Sequence, residues 1–139
     1  MTSSLLANLN PEQLAAITLP HQSALILAGA GSGKTRVLTT RIAWLISTAQ
    51  ASPFSVLAVT FTNKAAAEMR DRVEALLGVP TRNLWIGTFH GLSHRLLRIH
   101  WREAGLTEGF QIMDSEDQLR MVKRMIRSLE LDENVWVPK

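Results

Sequence analysis

Residues 28–35 read AGAGSGKT, a glycine-rich segment ending in lysine and threonine that suits the binding of phosphate. Its glycines permit the positive φ angles at which successive backbone amides point toward one anion. The Lys34 ammonium can reach the β- and γ-phosphates of a nucleotide, and the Thr35 hydroxyl can ligate Mg²⁺. The strict motif has glycine where Ala28 stands, whereas the end of the motif is intact. We predict a phosphate-binding loop made of Ala28, Gly29, Ala30, Gly31, Ser32, Gly33, Lys34 and Thr35.

The phosphate-loop prediction leaves two questions open. An ordinary glycine-rich turn with an unrelated lysine would have a similar sequence, although an apolar run before it and a helical pattern after it favour the phosphate loop. The loop does not choose a reaction, because small-molecule kinases, GTPases and motor ATPases all carry one.

Two other segments place an aromatic side chain beside small polar groups. Residues 60–64 read TFTNK and residues 87–91 read GTFHG, each at the end of an apolar run. An aromatic ring can stack on a base and the polar groups can contact phosphate, so both segments suit a nucleic-acid strand. The alternative is that Phe61 is a core residue and that Thr62 and Asn63 only cap a helix.

The elements that would position these residues alternate between helix and strand. Asn10, Pro11 and Gln13 predict a helix start with a capping box, and this helix should end before Pro20. Short apolar runs predict buried strands at residues 23–28, 55–61 and 84–88. The helices that follow are predicted at 33–48, from a cap at Thr62 or Asn63 to Gly78, and at 89–103. In the helix 33–48, the expected apolar face consists of Val37, Leu38, Ile42, Leu45 and Ile46.

This order of elements predicts an α/β fold with a parallel sheet that has helices on both faces. It corresponds to the front half of a doubly wound nucleotide-binding fold. From residue 110 onward the pattern changes to an amphipathic helix that Asp114 or Ser115 would cap. We interpret this last segment as the start of a helical subdomain.

Composition excludes several classes of protein. The chain has 139 residues, of which 46% are hydrophobic, so it can form a packed core. It contains no cysteine, which excludes disulfides and thiolate metal sites, and its net charge of +3 is compatible with a polyanionic partner. The first ten residues lack the basic and apolar regions of a signal peptide, and the apolar runs are far shorter than the ~20 residues of a membrane span. We expect a soluble intracellular protein without a membrane partner.

The motifs together resemble the UvrD/Rep/PcrA group of superfamily 1 DNA helicases, in particular the UvrD type. The resemblance rests on LNPEQ at 9–13, AGAGSGKT at 28–35, AVTFTNKAAAEM at 58–69, IGTFHG at 86–91 and DSEDQLRMVKRMIRSL at 114–129. It extends over essentially the whole chain, and the order of the motifs makes it specific.

The resemblance implies a role for each matching residue. Gln13 would read adenine, Lys34 and Thr35 would bind the phosphates and Mg²⁺ of ATP, and Arg36 would lie beside the nucleotide. The single-stranded DNA track would be lined by Thr60, Phe61, Asn63, Thr88, Phe89 and His90. Residues 1–112 would be the first part of a RecA-like P-loop motor domain, 1A, and residues 113–139 the beginning of helical subdomain 1B.

The resemblance also implies an activity: an ATP-dependent DNA helicase that moves 3′ to 5′ on single-stranded DNA and unwinds duplex DNA. Such a protein would be cytoplasmic, bacterial and nucleoid-associated, with possible repair or replication proteins as partners. The chain shows no apolar strand ending in Asp-Glu to hold Mg²⁺ and orient water, so we expect the 139 residues alone neither to hydrolyse ATP efficiently nor to unwind DNA. The alternatives are a P-loop small-molecule kinase and a non-catalytic module that binds ATP or single-stranded DNA.

Overall fold

The computed structural model describes residues 5–20, 22–82, 84–132 and 135–137. The chain divides into two compact units, one up to Leu96 and one from Leu97 onward. The domain boundary expected after residue 112 stays a prediction. Among the described residues, no helix is both long and apolar enough to cross a membrane.

Helix α1 (Pro11–Thr18) starts as its sequence predicts. The Gln13 backbone N–H donates to the Asn10 side chain at 2.7 Å, and the Asn10 N–H donates to the Gln13 side-chain oxygen at 3.2 Å. Pro11 occupies the first turn, where it loses no helical hydrogen bond. The predicted capping box and the end before Pro20 are both confirmed.

Helix α2 (Lys34–Ser47) follows Gly33, whose φ of +84° is left-handed and which provides no side-chain cap. The predicted extent of this helix is confirmed to within a residue at each end. Of the predicted apolar face, Val37 and Ile42 are buried and Leu45 and Ile46 are half-buried, whereas Leu38 is 41% exposed. Thr39 and Thr40 are buried as well. The Thr39 hydroxyl donates to the Thr35 carbonyl at 2.9 Å, and a threonine that satisfies its hydroxyl within the helix can be buried.

Two parallel strands form the sheet, and a helix connects them. Strand β1 (Leu57–Thr60) leads to helix α3 (Asn63–Leu77), and strand β2 (Trp85–Thr88) leads to helix α4 (Phe89–Ile99). Thr62 caps α3 and left-handed Gly78 ends it, as predicted. One face of the sheet packs on α3, and the core comprises Ile42, Ala58, Met69, Val73, Leu84 and Ile86.

The structure corrects three predicted elements. Residues 23–28 form no strand, and Leu25 and Leu27 are 84% and 85% exposed, so the prediction of a buried strand there is wrong. A buried parallel strand needs hydrogen-bonded neighbours, and the sheet of the described residues contains only β1 and β2.

The strand predicted at 55–61 is shorter than expected, because residues Pro53–Ser55 form a 3₁₀ helix and Leu57 is 65% exposed. Helix α4 ends at Ile99 rather than at residue 103. The residues after it form turns up to Gly105, whose φ is +67°. The described chain is therefore a mixed α/β structure with a small parallel sheet of two strands.

The second unit contains helix α5 (Ser115–Ser128), which Asp114 caps by accepting a hydrogen bond from the Asp117 N–H at 2.8 Å. The predicted helix and one of its two candidate caps are confirmed. None of the residues described from Leu97 onward is buried, so the apolar stripe of α5 is exposed or half-buried. Before α5, a hydrogen bond from the backbone of Glu103 and its ion pair with His100 at 3.6 Å lower the pKa of the Glu103 carboxyl.

Candidate nucleotide and nucleic-acid site

The glycine-rich segment folds into a loop between residue 28 and the start of α2. Gly31 and Gly33 have φ angles of +75° and +84°, which residues with a Cβ rarely adopt. The Ser32 hydroxyl donates to the Gly29 carbonyl at 2.7 Å and closes the loop on itself. The predicted positive φ angles are thus present at two of the glycines of the motif.

Lys34 lies at the first position of α2 and its ammonium turns back over the loop. The Nζ atom donates to the carbonyls of Ala28 at 2.8 Å and of Gly29 at 2.6 Å. The side chain is exposed, so these bonds are accessible to competing anions. A phosphate oxygen carries charge and binds an ammonium more strongly than a neutral carbonyl does. The lysine can therefore exchange a backbone partner for a nucleotide phosphate.

Gln13 of α1 reaches the same loop. Its Nε2 atom donates to the Ser32 carbonyl at 3.2 Å, and a Cβ added to Gly33 would lie 3.1 Å from that nitrogen. The left-handed φ favours glycine at position 33, and a side chain there would also displace the Gln13 amide slightly. Gln13 and Ser32, which are 19 positions apart in the chain, are therefore in contact at the phosphate loop.

A cavity of about 560 Å³ lies between α1, the loop and α2. Its volume is within the range of small-molecule sites, ~300–1,000 Å³. Its walls are largely apolar, with a few polar side chains that could orient a ligand. They include Gln13, Ile26, Leu27, Lys34, Val37, Leu38 and Arg41. Both the predicted adenine-reading residue, Gln13, and the predicted phosphate-binding residue, Lys34, therefore line the same cavity.

The two strand ends form a second group of predicted residues. Thr60 of β1 pairs with Thr88 of β2 in the parallel register, so the residues that follow emerge at the same edge of the sheet. The rings of Phe61 and Phe89 lie 5.6 Å apart at an interplanar angle of 49°. They are 88% and 55% exposed, so the alternative that Phe61 is a core residue is wrong.

Polar groups surround the aromatic pair at this edge. The Thr62 hydroxyl caps α3 by accepting from the Ala65 N–H at 3.1 Å, and the Thr88 hydroxyl accepts from the Gly91 N–H at 3.1 Å. A hydroxyl that accepts one bond still has its proton to donate, for example to a phosphate. Asn63 and His90 are exposed in the first turns of the two helices. The structure brings Thr60, Phe61, Asn63, Thr88, Phe89 and His90 to one edge of the sheet.

Residues 9–139 match the model of the UvrD/REP helicase N-terminal domain. The chain belongs to this family. It is 58% identical over 137 residues to DNA helicase II of Escherichia coli strain K12, covering 99% of this chain and 19% of that protein. It is 43% identical over 139 residues to the ATP-dependent DNA helicase PcrA of Bacillus subtilis strain 168, covering 100% of this chain and 19% of that protein. The resemblance inferred from the motifs is confirmed, and the chain spans about a fifth of the length of these relatives.

Within this helicase-family chain, Arg36 lies apart from the other predicted nucleotide-binding residues. Its Nη2 atom donates to the Ala7 carbonyl at 3.2 Å. The side chain lines a separate depression, together with Leu5 and Arg72, rather than the cavity of Gln13 and Lys34. A contact between Arg36 and nucleotide stays a prediction that requires the guanidinium to leave this carbonyl.

The residues near the loop fit a Mg²⁺ that arrives with the nucleotide. Thr35 is exposed in the first turn of α2 and supplies a hydroxyl oxygen. The described residues include no group of three or more acidic or histidine side chains that could hold a metal ion by themselves. Mg²⁺ binds well to one or two protein oxygens when phosphates and water complete its shell. Thr35 is therefore the residue that would contact the metal.

Arg41 is a residue that the sequence analysis missed. Its Nη1 atom donates to three carbonyls at the end of α1, those of Ala16 at 3.2 Å, Ile17 at 2.8 Å and Leu19 at 3.0 Å. The only local signal is indirect, because the last turn of α1 contains no basic residue to bind its free carbonyls. The partners of Arg41 are 22 to 25 positions away, beyond the reach of any helical periodicity.

Proposed function

We propose that this chain is the ATP-binding N-terminal part of an ATP-dependent DNA helicase that moves 3′ to 5′ on single-stranded DNA and unwinds duplex DNA. Membership of the family and the names of the relatives support this function. The proposal includes a RecA-like motor domain 1A that begins in residues 1–112, a helical subdomain 1B that begins in residues 113–139, and a cytoplasmic, nucleoid-associated location in a bacterium. ATP binding would close a cleft between this motor domain and a second one.

The observation that carries the proposal is the exposed Phe61–Phe89 pair in the compact unit that also contains the phosphate loop. A small-molecule kinase would need the phosphate loop, but its reaction would not require two solvent-exposed aromatic rings at the edge of the sheet. The two rings are exposed and lie 5.6 Å apart, so their faces are accessible to a partner that has flat faces of its own. Unpaired bases have such faces, and stacking on them does not depend on sequence.

On the nucleotide side, the loop would bind the phosphates of ATP. Lys34 would release the Ala28 and Gly29 carbonyls and donate to a phosphate oxygen, while loop amides and the start of α2 contribute positive potential. The Gln13 amide could donate to and accept from the adenine edge, which distinguishes adenine from guanine. Thr35 would contact Mg²⁺, which neutralises charge on the phosphates when bound.

On the DNA side, the two rings would stack on successive bases of a single strand. The hydroxyls of Thr60 and Thr88 and the side chains of Asn63 and His90 would contact sugar and phosphate. Mixed polar and aromatic contacts of this kind fix a strand without reading its bases, which suits a motor that must move along any sequence. Repair or replication proteins would be further partners of the helicase.

Turnover needs groups that this chain does not show. The phosphoryl transition state requires a carboxylate that orients water and cations that stabilise the developing charge. No apolar strand of the sequence ends in Asp-Glu. We therefore propose that the 139 residues bind ATP and single-stranded DNA but do not hydrolyse ATP efficiently.

The test measures DNA binding and nucleotide binding on the same chain. Fluorescence anisotropy of a labelled single-stranded oligonucleotide should show binding that weakens steeply between about 50 and about 200 mM salt. Calorimetry should show ATP binding that needs no DNA. Phosphate transfer to a small metabolite without DNA would support the kinase alternative instead. Absence of single-stranded DNA binding at low salt would contradict the proposal.

A further inference from the structure

The C-terminal end of α1 depends on a side chain from another helix. The last carbonyls of a helix have no partner within it, and α1 has neither a basic residue in its last turn nor a glycine after it. Arg41 of α2 supplies the missing donor, since one guanidinium nitrogen contacts the carbonyls of Ala16, Ile17 and Leu19. The side chain is part-buried, and its charge faces the negative end of the α1 dipole.

The N-terminal part of α1 is attached to the same neighbour by Gln13. Its amide nitrogen donates to the Ser32 carbonyl at 3.2 Å, in the loop from which α2 starts. Lys34 and Arg41 are seven positions apart on α2, which places them two turns apart on one face of the helix. The short helix α1 is therefore bound at both ends to the loop and the helix that carry the phosphate-binding lysine.

The Gln13 amide has a fixed orientation in this arrangement. Its oxygen accepts from the Asn10 N–H and its nitrogen donates to the Ser32 carbonyl, so exchanging the two atoms would break both bonds. An amide oxygen has a second lone pair and an amide nitrogen a second hydrogen. One acceptor position and one donor position of the amide are thus not used by these two bonds, and adenine offers one donor and one acceptor to such a pair.

We propose that Arg41 is a positioning residue for base selection: by fixing the end of α1, it sets where the Gln13 amide stands relative to the phosphate loop. This inference rests on the proposed function, in which Gln13 reads adenine. A bidentate contact tolerates little displacement, because hydrogen bonds weaken steeply with angle and distance. Without Arg41, the C-terminal end of α1 would lose three hydrogen bonds and keep the packing of buried Ile17, so Gln13 would shift while the phosphate loop stayed in place.

The experiment compares the affinities of the 139-residue chain and its variants for ATP and GTP by titration calorimetry. In Arg41→Met and Arg41→Gln, ATP affinity should fall about tenfold, the effect of losing the neutral hydrogen bonds between the Gln13 amide and adenine, while GTP affinity changes less than about twofold. Gln13→Ala should lose the same preference for ATP. The double variant Arg41→Met/Gln13→Ala should then lose no more than Gln13→Ala alone, because both changes remove one function.

Arg70→Gln is the matched control, because Arg70 is also part-buried and donates from Nη1 to a backbone carbonyl, that of Ile86 at 2.9 Å, without contacting α1. It should leave the ratio of ATP to GTP affinity unchanged. Circular dichroism melts identify variants that fail to fold, and Arg41→Gln, which keeps a polar side chain but is too short and uncharged, still tests the inference if Arg41→Met unfolds.

Each outcome distinguishes the inference from the proposed function. Equal losses of ATP and GTP affinity in the Arg41 variants would indicate a direct phosphate contact and overturn the positioning role. An unchanged ATP preference in these variants, with the preference still lost in Gln13→Ala, would also overturn it and leave the proposed function intact. If Gln13→Ala keeps the preference, adenine reading by Gln13 fails, and the role of Arg41 fails with it.

Discussion

The phosphate loop and the two strand ends both join an apolar segment to a helix, but different interactions fix them. At the loop, side chains bind the backbone: Lys34 donates to two carbonyls, Ser32 to one and Gln13 to another. The segment before the loop belongs to no strand, and Leu25 in it is 84% exposed. At the strand ends, the backbone of β1 pairs in register with that of β2. The buried core residues Ala58 and Ile86 pair two positions before these ends.

This difference corresponds to two kinds of ligand contact. The bonds of Lys34 to the loop are made by an exposed side chain and can be exchanged for bonds to a nucleotide phosphate, whereas the half-buried Gln13 keeps its bond to Ser32. The Phe61 and Phe89 rings have no such hydrogen bonds to exchange. Each ring directly follows a strand that contributes residues to the core, so its backbone position is fixed. Under the proposed function, Lys34 would change partners when nucleotide binds, whereas the aromatic edge would bind DNA without a change in the strands that carry it.

The largest expected effect is that of Lys34→Ala on nucleotide binding. The variant loses a charged donor to phosphate, so ATP affinity should fall about ten- to a hundredfold in calorimetry. The free energy of unfolding should change by less than about 0.5 kcal/mol, because the side chain is exposed. Single-stranded DNA affinity, measured without nucleotide, should stay the same if the two sites are separate.

Lys123→Ala is the matched control for charge, because Lys123 is an exposed lysine in the other compact unit. It should leave ATP affinity unaltered. An unchanged ATP affinity in Lys34→Ala would contradict the phosphate assignment. An equal loss of DNA affinity would show that the loop and the strand ends act as one site.

A smaller effect is expected for Phe61→Ala at the strand ends. Loss of one stacked ring should lower single-stranded DNA affinity about tenfold in anisotropy titrations, with no change in ATP affinity. Trp136→Ala is the control, since Trp136 is also an exposed aromatic residue, at 58%, but belongs to the other compact unit. Phe61→Trp should retain binding. Equal losses in Trp136→Ala and Phe61→Ala would indicate a general hydrophobic effect rather than stacking at the strand ends.

Local sequence signals predicted the helix starts well. Asn10 with Gln13, Thr62 and Asp114 all cap helices, because a capping side chain bonds a backbone group only two or three residues away. Gly78 ends α3 for an equally local reason, its left-handed φ. The composition of the candidate site was predictable for the same reason, since motifs such as residues 28–35 and 86–91 are contiguous.

Features that depend on distant contacts were not predictable. Residues 23–28 have the composition of a buried strand, but composition does not supply neighbouring strands, and Leu25 and Leu27 are exposed. The apolar pattern of α2 identified most of its buried face but not all of it, because it does not count threonines such as Thr39 that bond their hydroxyls within the helix. The contacts of Arg41 with α1 join two helices, and no spacing in the sequence indicates them.

The smallest expected effect concerns the cap that fixes one strand end. Thr62→Ala removes the acceptor of the Ala65 N–H, so the free energy of unfolding in urea should fall by about 1 kcal/mol. Thr62→Ser keeps a hydroxyl and should restore most of this stability. Because the residue before α2 is Gly33, which has no side chain to cap the helix, no such variant exists at the phosphate loop. If Thr62→Ala leaves stability unchanged, the sheet alone fixes the start of α3, and the two junctions differ in strand pairing rather than in capping.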